Sequence, residues 1–152
     1  MTKTQQLIST AGRISESTLD TMIQLALVGK SHRVIAAGAA SLDIYRGLHG
    51  RGFSRVAALA DSAVSHVQHD AALVAGPHSV NALEALLARV VSRLCAQGTI
   101  VVWIDTVSGQ RGKPIQLALE RLAFHIQSAA TCGTGFVIAA RRHDCGCLAN
   151  AA

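Results

Sequence analysis

The chain has 152 residues, one domain's worth, of which half are apolar, 3% aromatic and 15% charged, so its core is built from Ala, Val, Leu and Ile. No apolar run reaches the roughly 18 to 20 residues of a membrane span, and MTKTQQLISTAGR lacks the apolar stretch of a secretory signal, so a cytoplasmic protein is expected. The net charge of +5 permits an acidic partner, but the basic residues are scattered, with short pairs such as Arg141-Arg142 and no interleaved aromatics, which argues against a nucleic-acid partner.

The first 32 residues read as a helical segment. A weak helical turn is expected around Gln5 to Ala11, followed by a helix in which Leu19, Met22, Ile23 and Ala26 share one face. Ser17 and Asp20 have capping-box spacing at its start, and Gly29 is its expected stop. Arg33-Val-Ile-Ala-Ala37, closed by Gly38, is a short apolar run of the kind that forms a buried strand. A short helix follows over Leu42–Leu48, broken by Gly50 and Gly52, and then a second strand over Arg55–Leu59.

Ala71–Ala75, closed by Gly76-Pro77, is a third strand. After it, Val80, Leu83, Leu87, Val90, Val91 and Leu94 form one apolar stripe of a helix, with Ser79 to cap it and Gly98 to end it. Thr99–Ile104 is the strongest strand in the chain. Gly109–Lys113 reads as a loop, and Pro114 suits the first turn of a helix that turns Ile115, Leu119 and Leu122 inward. Two strands, Phe124–Ala130 and Phe136–Arg141, flank Cys-Gly-Thr-Gly, a hairpin signal. Strands alternating with helices imply a mostly parallel sheet covered on both faces, with an antiparallel hairpin at its end. Residues 33–142 therefore form an α/β domain, and 143–152 a flexible tail.

Cys95, Cys132, Cys145 and Cys147 are expected as free thiols. His143, Cys145 and Cys147 offer three ligands, but their spacing is not that of a zinc knuckle, so no metal is expected. No G-x-G-x-x-G follows the first strand, and Ser108–Pro114 is not a P-loop, although Arg111 and Lys113 flank a glycine turn suited to an anion. In open α/β sheets ligands bind at the carboxyl ends of the strands. Gly38, Asp61, Gly76, His78 and Asp105 all follow or end a strand and are the candidate site. His78 and Asp105 could serve as an acid–base pair there, or be two polar loop residues.

Local sequence adds a family likeness. His69-Asp-Ala-Ala-Leu-Val74, Leu94-Cys-Ala-Gln-Gly-Thr-Ile-Val-Val-Trp-Ile-Asp105 and Phe136-Val-Ile-Ala-Ala-Arg141 resemble the fourth-strand, helix-to-fifth-strand and last-strand segments of class I S-adenosylmethionine-dependent methyltransferases. The resemblance implies a Rossmann-like sheet ordered 2-1-4-5-7-6 in that family's labelling. It implies S-adenosylmethionine as the cofactor, held where the first strand ends in an acid and a Gly-x-Gly turn. In Val34-Ile-Ala-Ala-Gly-Ala-Ala40, Gly38 matches, Ala36 stands where the acid belongs, and Ala40 replaces the second glycine. Asp61 lies one position later than the family's ribose-binding acid. Only nine positions separate Asp61 from Asp70, where the family fits a helix and a third strand, so one edge strand is expected to be missing. Two functions follow. One is a degenerate, non-catalytic binding or regulatory module, self-associating along the sheet edge or the N-terminal helix. The other is an active methyltransferase, or other small-ligand enzyme, with a pocket rebuilt around the candidate residues.

Overall fold

The computed structural model describes residues 14–59, 68–75, 80–105, 112–132 and 135–142. Within them the chain runs α1 (Glu16–Ala26), β1 (Val34–Gly38), α2 (Ser41–Gly50), β2 (Val56–Ala58), β3 (His69–Ala75), α3 (Val80–Val91), β4 (Leu94–Asp105), α4 (Gly112–Arg121), β5 (Phe124–Cys132) and β6 (Gly135–Arg142). The segments 1–13 and 143–152, including the expected turn at Gln5–Ala11 and the His143, Cys145 and Cys147 group, lie outside the described residues. No helix among the described residues is long and apolar enough to cross a membrane.

The strands form one sheet in the order β2-β1-β3-β4-β6-β5. β2, β1, β3 and β4 are parallel, while β6 is antiparallel to both β4 and β5. This is the order the family resemblance implies, with β2 at the edge among the described residues. Cys132 pairs with Gly135, and Gly133 and Thr134 between them lie outside the described residues.

Each face of the sheet is covered by one helix pair. On one side Ile35, Ala37, Val74, Ile100, Val102 and Ile138 pack against Leu83, Leu87 and Val90 of α3 and Ile115 and Leu119 of α4. On the other, Val34, Ala36, Leu73, Ala75, Val101 and Val137 pack against Leu19 and Met22 of α1 and Ile44 and Leu48 of α2. Alternate residues of one strand thus feed opposite cores, as the two-residue period of a strand requires. Both faces of β1 and β3 are apolar because both are covered. The right-handed βαβ rule explains the pairing of helices: the chain steps one way through α2 and the other way through α3, so the two helices lie on opposite faces.

Several helix boundaries differ from the sequence reading, those of α1 and α3 most. Ser15, not Ser17, caps α1, its Oγ accepting from the Thr18 N–H at 3.1 Å, and Ser17 already lies within the first turn. α1 ends at Leu27, which takes the left-handed conformation at φ 57 and donates its N–H to Ile23 and Gln24, ahead of Gly29. Gly29 instead starts a separate turn, its N–H donating to Nδ1 of His32 at 2.7 Å. α3 ends at Val91, and Leu94 opens β4 although it is buried against the same core as the helix stripe. Burial at helical spacing extended the expected helix by a turn too many. Gly98 is needed where the start of β4 folds on itself: a Cβ there would lie 2.9 Å from the Leu94 Cβ and 3.1 Å from the Cys95 oxygen.

Candidate functional site

The strand order reverses between β1 and β3. β1 leads through α2 outward to β2, and β3 leads through α3 the other way to β4. At such a switch point the loops leaving the two strands diverge and open a crevice above their carboxyl ends. Gly38 and Ala75 end these strands as register partners. Gly38 has φ +97, a conformation that L side chains rarely adopt, and a Cβ on it would overlap the Ala75 carbonyl oxygen and lie 2.8 Å from its carbonyl carbon. The Ala39 N–H donates to the same oxygen at 3.0 Å, which locks the turn. α2 starts three residues beyond Gly38, and its N-cap, Ala40, supplies no side-chain hydrogen bond. The acid in its first turn, Asp43, accepts from the Ile14 N–H at 3.4 Å, bringing the start of the described chain to this end of the sheet.

Ala36, at the family's acid position, is fully buried among Ala40, Ile44 and Leu73 on the α1–α2 side. Its carbonyl oxygen accepts from the Leu59 N–H at 2.8 Å. A methyl group packed in an apolar core offers nothing to bind an ammonium ion, so the cofactor's charged end has no partner at this position.

Of the five candidate residues, the structure places Gly38 at the end of β1 and Asp105 at the end of β4, with β3 between them. Two strand spacings are about 10 Å. Asp61, Gly76 and His78, and the side chain of Asp105, lie outside the described residues. Arg111 also lies outside them. Lys113 falls within the first turn of α4 rather than in a loop, because α4 begins at Gly112, ahead of Pro114.

Sequence reasoning missed Trp103. It sits in register with Ala75, which sits in register with Gly38, so the three make one row across β4, β3 and β1. Trp103 packs on the α1–α2 side, and its indole Nε1 is buried without a hydrogen-bond partner among the described residues. A buried N–H normally finds an acceptor. The available signal was composition: it is the single tryptophan in a chain that is 3% aromatic.

The other buried side-chain nitrogen without a partner among the described residues lies at the opposite end of the sheet. His69 starts β3, is 6% exposed, and leaves Nδ1 without a partner among the described residues. Burial pushes its imidazole below the ordinary value near 6.5; Arg33 and Arg93 push it the same way, against the Arg93 backbone carbonyl and Asp70. Among the described residues no group of three or more His, Cys, Asp or Glu is placed to hold a metal ion.

No protein-family model matches the sequence, and no curated protein matches it. Solved structures do match in fold. A TehB-like SAM-dependent methyltransferase from Corynebacterium glutamicum superposes with a TM-score of 0.63 at 16% identity, over 91% of this chain and 95% of that one. Magnesium protoporphyrin IX methyltransferase from Synechocystis, with bound SAH, gives 0.60 at 11% identity over 84% and 83%. Precorrin-6y C5,15-methyltransferase from Geobacter metallireducens gives 0.59 at 15% identity over 83% and 88%. With the strand order and the glycine turn at the switch point, these likenesses show that the chain has the class I methyltransferase-like, Rossmann-like α/β fold.

Proposed function

We propose that this chain is a non-catalytic binding module built on the methyltransferase-like fold, one that does not hold S-adenosylmethionine in that fold's acid-anchored way. The observation that carries the reading is Ala36, a fully buried methyl group where an anchoring carboxylate would stand. Installing a charge in that apolar seat without a permanent partner would cost several kcal/mol. The short connection between β2 and β3 supports the same reading, because the fold's adenine-contacting segment normally occupies it. The residues present therefore do not fit this cofactor, and no transfer step is derived through it. Trp103 reports on the site directly: titrating S-adenosylmethionine or S-adenosylhomocysteine to about 1 mM is expected to leave its fluorescence unchanged. Saturable quenching in the micromolar range would overturn the proposal.

A second reading rests on Gly38, whose tight turn is kept at the switch point although the acid is not. Under it, a small ligand other than S-adenosylmethionine enters above Gly38 and Ala75, with Trp103 Nε1, Asp61, Gly76, His78 and Asp105 as its polar surroundings. A small molecule identified by native mass spectrometry of freshly purified protein would favour this reading over the first.

A further inference from the structure

The basic residues that look scattered in the sequence are gathered by the fold. Each βα repeat returns the chain to the same end of the sheet, and an arginine stands at most of those returns. Arg33 precedes β1, Arg55 precedes β2, Arg93 precedes β4, and β6, running the other way, ends on Arg141 and Arg142. Backbone hydrogen bonds fix their spacing. The Arg55 carbonyl accepts from the Val34 N–H at 2.9 Å, the Arg33 carbonyl from Asp70 at 2.8 Å, and the Arg93 carbonyl from His69 at 2.8 Å. Arg141 is in register with Thr99 of β4 and with His125 of β5. The row from Arg55 to Arg141 crosses four strand spacings, about 19 Å. Arg33, Arg55 and Arg141 are themselves exposed, whereas Arg121, in the last turn of α4, is paired with Glu84.

Among the described residues most carboxylates already have partners. Asp70 Oδ2 accepts from the Arg33 backbone N–H at 2.9 Å, Asp20 and Glu16 bind Arg51, and Glu84 binds Arg121. Glu120 is exposed beside Arg121. The large apolar side chains exposed among the described residues, Leu27, Leu42 and Leu117, belong to helices or their caps and not to the strand starts. A protein partner would be expected to meet an apolar centre. A row of arginines whose backbones the sheet spaces, without such a centre among the described residues, matches the polar, positively charged surfaces that meet nucleic acid, and guanidinium pairs with phosphate in bidentate fashion. A duplex carries one charge per about 1.7 Å of axis, so about 19 Å of it carries on the order of ten phosphates, only some of them on the side facing the row.

We propose that the amino-end rim of the sheet, centred on Arg33, Arg55 and Arg141, binds the phosphate backbone of a nucleic acid without reading its bases. The rim lies at the opposite end of the strands from Gly38, so the inference stands independently of the ligand-site proposal. The test is fluorescence anisotropy of a labelled RNA duplex of about 20 base pairs between about 50 and 200 mM salt. Binding is expected at low salt and is expected to weaken steeply as salt rises. The variant R33Q/R55Q/R141Q should reduce the slope of log K against log salt by about 2 to 3. R33E/R55E/R141E should abolish binding, and the glutamine variant keeps the test open if the glutamate variant fails to fold. Arg46→Glu, on the exposed side of α2, should leave binding unchanged. The inference would be overturned by absence of saturable binding at the lowest salt, or by an unchanged slope in the folded glutamine variant. Equal affinity for a polyglutamate chain would also overturn it, in favour of an acidic protein partner.

Discussion

Gly38 and Ala75 end adjacent parallel strands so closely that no side-chain carbon can be placed on Gly38 without overlapping the Ala75 carbonyl. Two costs coincide there: a positive φ and a backbone neighbour that cannot rotate away. Gly38→Ala is expected to destabilise the fold by about 3 kcal/mol or more. Gly50→Ala, where no heavy atom lies within 4 Å of the added Cβ, is the control and is expected to be neutral or slightly stabilising. Urea unfolding of the two variants measures both.

Arg51 clamps α1 to α2. Its Nε meets Asp20 at 2.8 Å, and its two terminal nitrogens reach the Gly47 carbonyl at 3.0 Å and the Glu16 carbonyl and carboxylate at 3.2 and 3.0 Å. Glu16 and Asp20 are well exposed, so their ion pairs count for little, and the carbonyl bonds matter more. Arg51→Ala is expected to cost about 1 to 2 kcal/mol, while Glu16→Gln costs less than about 0.5. Hydrogen exchange should rise in α1 for the first variant and stay unchanged for the second.

His69 makes stability depend on pH. Burial lowers its folded-state pKa, so the unfolded chain binds the proton more readily. Its contribution is therefore complete above the unfolded value near 6.5 and is lost as pH falls from there towards the lowered folded value. The slope from this one group is at most about 1.4 kcal/mol per pH unit. Replacing it with Phe, an apolar ring that does not titrate in the same buried seat, should flatten the loss of stability below about pH 6.5. An unchanged acid limb in thermal melts would count against this account.

Arg142 closes the end of α3. Its guanidinium donates to the Val91 carbonyl at 2.7 Å and to the Leu94 and Cys95 carbonyls at 3.4 Å, and lies 5.7 Å from the Phe124 ring centre. Arg142→Ala should cost about 1 to 3 kcal/mol. Arg142→Lys should recover only part of it, since one ammonium cannot fan out to carbonyls on both sides of the turn. Denaturant titration of both variants gives the comparison.

Alternation of apolar runs with helical stripes carried the fold, because burial on both faces leaves strands such as Val34–Ala37 continuously apolar. It carried helix ends less well. Leu94 is buried whether it ends a helix or begins a strand, and Leu27 takes a left-handed cap without a glycine. At the site, Gly38 was legible because a tight turn leaves a glycine in the sequence. Trp103 was not, since nothing local marks an indole whose neighbours in space come from β3 and β6. The basic rim was hidden for the same reason: residues 33, 55, 93 and 141 become neighbours only when the strands pair.

Isothermal titration of the full chain with S-adenosylmethionine tests the central claim most directly. With a buried methyl group at Ala36 in place of an acid, no saturable heat is expected up to about 1 mM ligand. A stoichiometric isotherm with a micromolar Kd would contradict it.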